Sequence, residues 1–135
     1  MVDYSISELD FNFQKLDMLP NDISRYINST FLSCIHNSLT ALDNLPIALE
    51  VLYCGNNKLT KLNNLPITLK VLDCSYNSIT SLGNLPIALE VLYCYKNALT
   101  VLDNLPTSLK TVKCSSRVII PNNVNENLKI DYIPL

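Results

Sequence analysis

The residues of this chain best suited to chemistry are five cysteines and one histidine. The cysteines recur at a constant interval of twenty residues, at Cys34, Cys54, Cys74, Cys94 and Cys114. Thiolates are natural ligands of zinc and iron–sulfur clusters, but small zinc sites use cysteines only about two to four residues apart. The wide, regular spacing instead predicts reduced thiols that act as small hydrophobic side chains at one buried position, with no metal and no cofactor.

His36 is the only histidine and lies two residues after Cys34. A cysteine activated by a neighbouring base can be a nucleophile. We expect the cysteine to be buried and the histidine to be exposed, so that no hydrogen bond joins them. The chain also has only two glycines, which leaves no glycine-rich loop for phosphate. The sequence therefore predicts no catalytic residues and a protein that is not an enzyme.

The twenty-residue interval extends to the sequence around each cysteine. Near copies cover Leu49–Leu59, Leu69–Ile79 and Leu89–Leu99, and each is followed by Asn-Leu-Pro. A repeat of this length is typical of a solenoid, because one unit cannot bury its apolar face alone. We predict one domain, with an N-terminal cap at residues 1–28, repeats over 29–121 and a C-terminal cap at 122–135.

The repeats resemble the leucine-rich repeat, whose signature L-x-x-L-x-L-x-x-N/C-x-L is matched here with Cys at the third leucine and Asn at the ninth position. The short unit with its Leu-Pro is similar to the class found in bacterial type III effectors and in repeat proteins of giant viruses and amoebae. The resemblance implies a solenoid with a short parallel β-sheet on its concave face. It also implies a ladder of asparagines after the strands, at Asn37, Asn57, Asn77 and Asn97.

Within a unit, alternation predicts a short strand with Leu52 and Cys54 facing inward and Val51 and Tyr53 facing outward. Twenty residues leave no room for a helix beside the strand and its turns, and a proline in each return favours an extended, polyproline-like path. The convex side should therefore be nonhelical. The exception is residues 21–28, for which we predict a short N-terminal capping helix, with Phe11 and Phe13 closing the core.

The charge and hydropathy of the chain indicate which kinds of partner and which cellular location to expect. The net charge of −2 with 16% charged residues gives no basic stripe for nucleic acid. No segment has the length and apolarity of a membrane span, and the start of the chain does not resemble a secretory signal. We therefore expect no nucleic acid partner, no membrane, and a cytoplasmic location, which would be the host cytoplasm for a viral or effector protein.

The outward positions that vary between units are the candidate binding residues. Tyrosines beside a row of valines form an apolar surface that can also make hydrogen bonds, and aromatic residues are enriched at binding hot spots. The alternative is that β-propensity alone placed them there. The predicted partner-binding surface on the concave face comprises Val51, Tyr53, Val71, Asp73, Tyr76, Val91, Tyr93, Tyr95, Lys96 and Lys113.

The leading hypothesis is a nonenzymatic module that binds a partner protein through this concave sheet, and two alternatives remain. Residues 18–27 resemble the opening of an F-box, which would make the protein a substrate adaptor for ubiquitin ligation. The chain could also be an architectural domain that forms a homodimer through its concave faces.

The second strand position alternates in charge from unit to unit, through Glu50, Lys70, Glu90 and Lys110. Stacked units would place opposite charges side by side, which predicts lateral ion pairs that fix the register of similar strands.

Overall fold

A computed structural model describes residues 1–135 and shows a solenoid whose strands form one parallel sheet. Seven strands lie in chain order, and each hydrogen-bonds to the next. From β2 to β6 the register advances by one unit, so that Val51 lies opposite Val71 and Val71 opposite Val91. The predicted leucine-rich repeat solenoid is confirmed. The strands are β1 (Glu8–Asp10), β2 (Phe31–Ser33), β3 (Val51–Tyr53), β4 (Val71–Asp73), β5 (Val91–Tyr93), β6 (Thr111–Ser115) and β7 (Lys129–Ile133).

Each strand is short and has one buried and one half-exposed face. In β3 the side chain of Leu52 is fully buried, whereas those of Val51 and Tyr53 are half-buried on the other face. The β-branched valines suit this pleated, partly covered position. Burying one leucine contributes about 1.5 to 3 kcal/mol, so the inner column supplies much of the stability. That column consists of Leu32, Leu52, Leu72, Leu92 and Val112.

The return half of each unit contains no helix, as predicted. A tight turn precedes each of the strands β3 to β6. Before β4, for example, the Leu69 N–H donates to the Pro66 carbonyl at 3.1 Å, and the equivalent bond forms before the other three strands. The Thr68 hydroxyl donates to the Leu49 carbonyl at 2.6 Å and ties adjacent turns together. None of the helical segments has the length and apolarity of a membrane-spanning helix.

Prediction of a short capping helix at residues 21–28 was wrong. The segment forms only a three-residue 3-10 helix at Ile23–Arg25, and Asp22 makes no side-chain capping hydrogen bond. Ile23 is fully buried, and the chain must then reach the start of β2 at Phe31. The segment therefore brings one apolar side chain into the core and forms no longer helix.

The two N-terminal phenylalanines behave differently. Phe11 packs against the core, as expected. Phe13 is exposed and its ring stacks on His36, with the ring centroids 4.6 Å apart. A backbone φ of 57° at Phe13 turns its side chain onto the histidine instead of into the core.

Candidate partner-binding surface

The asparagine that follows each of the strands β2 to β5 joins two neighbouring units through its side chain. The Asn77 amide nitrogen donates to the carbonyls of Cys54 and Cys74 at 3.1 and 3.0 Å, and its oxygen accepts from the Leu59 N–H at 2.9 Å. One amide thus satisfies three backbone groups where the sheet ends, which only a side chain with both donor and acceptor can do. Equivalent bonds are made by Asn37, Asn57 and Asn97.

The cysteine column lies directly inside the sheet. All five thiols are free and buried. Burial raises the pKa of Cys34 and of Cys94 to about 12, and the pKa of the other three thiols is also raised. A protonated, buried thiol is neither a nucleophile nor a ready metal ligand.

No arrangement for acid–base or metal chemistry accompanies the thiols. His36 is exposed and makes no hydrogen bond to Cys34. No group of three or more histidine, cysteine, aspartate or glutamate side chains lies in a geometry that could hold a metal ion.

The outward face of the sheet carries two adjacent rows of half-exposed side chains. Parallel strands lie about 4.8 Å apart, so equivalent residues of neighbouring units contact each other directly. The first row begins with Phe31 and continues with three valines and a threonine: Val51, Val71, Val91 and Thr111. The second row begins with Ser33, which is buried, and continues with the half-exposed Tyr53, Asp73, Tyr93 and Lys113. The register therefore brings the predicted strand residues onto one continuous surface.

Aromatic contacts hold both tyrosines of the second row. The Lys113 ammonium lies 4.7 Å from the centroid of the Tyr93 ring, a cation–π geometry. The Tyr53 ring meets the Phe31 ring edge to face, with the centroids 5.5 Å apart. Sequence reasoning missed Phe31, although its position twenty residues before Val51 placed it in the first row. These neighbours hold each tyrosine ring in place while leaving part of it accessible.

A second aromatic pair lies just beyond the strands. The rings of Tyr76 and Tyr95 meet edge to face with centroids 5.5 Å apart, and Tyr76 is exposed. The neighbouring Lys96 is anchored by its backbone N–H, which donates to the Ser115 hydroxyl at 2.8 Å. Tyr76 and Lys96 both have a φ of 55°, and they line a shallow groove of about 530 Å³ along the asparagine ladder.

Asp73 lies between the two tyrosines of the second row. Its carboxylate accepts a hydrogen bond from the Ser75 N–H at 2.9 Å, which fixes its orientation. A side chain on Gly55 would begin 3.3 Å from the Ser75 carbonyl oxygen and 3.7 Å from the Asp73 carboxylate. The glycine therefore keeps space beside the only acid in this row.

No protein-family model matches the chain, and no curated protein matches its sequence. Solved structures do match. The leucine-rich repeat domain of a Shigella effector has 28% identity and a TM-score of 0.82, over 94% of this chain and 58% of that one. YopM from Yersinia enterocolitica has 29% identity and a TM-score of 0.64, over 79% of this chain and 29% of that one.

The Yersinia pestis leucine-rich effector YopM, at 24% identity and a TM-score of 0.57, covers 96% of this chain and 50% of that one and supports the fold alone. The chain thus spans 58% of the Shigella domain and less of the Yersinia proteins. Together with the twenty-residue turns and the parallel sheet, these matches define a leucine-rich repeat solenoid of a short class. Its fold is the one that bacterial effector domains use.

Proposed function

We propose that this protein is a nonenzymatic interaction module that binds a partner protein through the concave sheet. The observation that carries the proposal is the single surface formed by Tyr53, Asp73 and Tyr93, with Tyr76 and Tyr95 beyond it. Its side chains are partly accessible, and the inner leucines and the asparagine ladder hold the backbone beneath them. A preformed surface loses little conformational entropy when a partner binds.

The chemistry of the surface indicates what the partner should present. The valine row offers an apolar strip, and the tyrosine hydroxyls can donate and accept hydrogen bonds at its border. Asp73 and Lys113 add one negative and one positive charge that can fix the partner's orientation. A protein segment with an apolar centre and mixed charges fits this pattern.

The proposed setting is the cytoplasm of a host cell, for a viral or pathogen protein. The fold shared with the Shigella and Yersinia effectors supports this setting, as do five reduced thiols, which suit a reducing compartment.

Capture of partners from a host-cell lysate tests the binding surface. The variant with both Tyr53→Ala and Tyr93→Ala should lose most of a partner that the unmodified protein retains, while its thermal midpoint changes little. Tyr132→Ala is the matched control, because Tyr132 is an exposed tyrosine of β7 outside this surface. Equal capture by all three proteins would contradict the proposal, and so would equal loss in the control.

The F-box-like alternative receives no support from the structure. Residues 18–27 contain only the 3-10 helix, and Leu19 and Ile23 are packed in the core of the solenoid, where they cannot contact an adaptor.

A further inference from the structure

A row of exposed isoleucines runs along the turns that precede the strands. The Leu49 N–H donates to the Pro46 carbonyl, and the Ser29 N–H donates to the Tyr26 carbonyl in the same way, so the turn geometry extends into the N-terminal region. The second residue of four successive turns is isoleucine, and then Thr107 follows. We call these four residues the isoleucine stripe: Ile27, Ile47, Ile67 and Ile87, which are 59%, 71%, 80% and 84% exposed.

Exposed isoleucines are ordinary when they are scattered, but a contiguous apolar stripe marks an interaction surface. The sheet register aligns these turns, because Phe31, Val51, Val71 and Val91 lie opposite one another four residues after each isoleucine. Successive side chains are therefore about 4.8 Å apart along the solenoid.

A charged row lies three residues after the stripe, where the chain enters each strand. Two lateral pairs form within it, Lys70 to Glu50 at 3.1 Å and Lys110 to Glu90 at 2.8 Å. The four side chains are still 41 to 69% exposed, so their charges remain accessible to solvent next to the stripe.

We propose that the isoleucine stripe docks against the same stripe of a second copy of this chain, in antiparallel orientation. The twofold axis lies in the interface, between the turns of Ile47 and Ile67. Ile47 then meets Ile67 of the second copy, and Ile27 meets Ile87, so that every isoleucine of one stripe has a partner in the other. The surface is separate from the concave face and leaves the tyrosines free.

The alternating charges select this orientation. With the axis between two turns, Glu50 faces Lys70 of the second copy, and Lys70 faces Glu50. An antiparallel arrangement with its axis through a turn would instead place glutamate against glutamate or lysine against lysine. A parallel arrangement would place the two charged rows on opposite sides of the stripe, where they could not pair. Opposite charges across an interface set orientation and register more than affinity. An alternating row is complementary to its own reverse, and this argues for a second copy as the occupant.

The size of the stripe indicates a weak dimer. Four isoleucines and the adjacent charges approach only the lower limit of specific interfaces, about 1,200 Å² in total. We expect a dissociation constant on the order of 10 to 100 µM.

Sedimentation equilibrium tests the association. The unmodified protein should change from monomer to dimer between about 5 and 500 µM, and Ile47→Ser with Ile67→Ser should weaken the dimer at least about tenfold. Ile119→Ser is the matched control, since Ile119 is 67% exposed but lies outside the stripe. A monomer at the highest concentration, or an equal loss in the control, would overturn the proposal.

Oxidative crosslinking tests the register. A mixture of the Ile47→Cys and Ile67→Cys proteins should form disulfide-linked heterodimers, whereas either protein alone should crosslink several-fold less. The unmodified protein is the control, because its five thiols are buried. Efficient crosslinking of one variant with itself would place the axis through a turn and overturn the charge argument.

Charge exchange tests the orientation. Lys70→Glu should weaken the dimer, because it places glutamate against Glu50 of the second copy. Adding Glu50→Lys to that variant should restore the dimer, since opposite charges face each other again. Failure of the double variant to recover, with its thermal midpoint intact, would show that these charges do not lie across the interface.

Discussion

At the scale of single residues, the solenoid depends on polar side chains that complete the hydrogen bonding of the backbone at the end of the sheet. Asn77 is the clearest case, because its amide bonds to Cys54, Cys74 and Leu59 from two units. This role could be anticipated from sequence because the residue recurs at one position and has both a donor and an acceptor. The stack of Phe13 on His36 could not be anticipated, because neither residue recurs in the repeat and nothing in the sequence indicates the positive φ of Phe13.

Replacing Asn77 with alanine should lower the free energy of unfolding by about 1 to 3 kcal/mol, because three backbone groups lose their partner. Urea unfolding monitored by circular dichroism measures the change. A midpoint equal to that of the unmodified protein would contradict this role.

Ser75 is the matched comparison, two residues away and buried. Its hydroxyl has no hydrogen-bond partner. Ser75→Ala should therefore leave the free energy of unfolding unchanged or raise it, because a buried polar group without a partner is removed. A loss as large as that of Asn77→Ala would mean that the hydroxyl makes a bond in solution.

At the scale of elements, the strand and the return were predictable, whereas the N-terminal cap was not. Alternation around Leu52 and Cys54 specified which face is buried, and the recurring proline excluded a helix from the return. The segment around Ile23 has helix-like spacing of apolar residues, but its path is set by the need to bury that side chain and join β2. A local sequence pattern carries no information about this constraint from tertiary packing.

The cysteine column predicts a loss of stability at alkaline pH. Burial raises the folded-state pKa of these thiols above their ordinary value of 9.0, to about 12 for Cys34 and Cys94. Above about pH 9 the unfolded chain releases protons that the folded chain keeps, so the stabilisation is complete below that pH and is lost as pH rises toward 12. Each mostly buried thiol lowers the free energy of unfolding by about 1.4 kcal/mol per pH unit in this window.

Urea midpoints at pH 8 and pH 10 measure this effect. The midpoint should fall between the two, and Cys74→Ala should show a smaller fall because one titrating thiol is absent. A midpoint that is independent of pH over this range would show that the thiols are accessible to solvent.

At the scale of the whole molecule, stability comes from stacking, so the ends matter as much as the middle. The last contact, between β6 and β7, has five paired residues, more than any other pair of strands. β7 lies within the segment that the sequence assigned to a C-terminal cap, residues 122–135. The outward surface was predictable as a set of positions, but not its packing, because ring contacts such as Tyr76 on Tyr95 depend on turn geometry.

Removing residues 122–135 should lower the thermal midpoint by several degrees, because β6 and Val112 would lose their cover. A loss of about 1 kcal/mol corresponds to roughly 3 to 6 °C in a chain of this size. The truncated protein should also aggregate more readily, since an open parallel edge is exposed. Calorimetry and solubility relative to the full chain measure both effects, and an unchanged midpoint would mean that β7 does not stabilise the stack.

The alternation of Glu50 and Lys70 has a consequence for lengthening the molecule. Residues 46–54 and 86–94 are identical, so the charge pattern repeats every forty residues, that is, every two units. Inserting a duplicate of residues 49–68 would place two glutamates side by side in adjacent units. Inserting a duplicate of residues 49–88 would instead keep every glutamate next to a lysine. A variant lengthened by two units is therefore expected to be more stable, relative to its length, than one lengthened by a single unit.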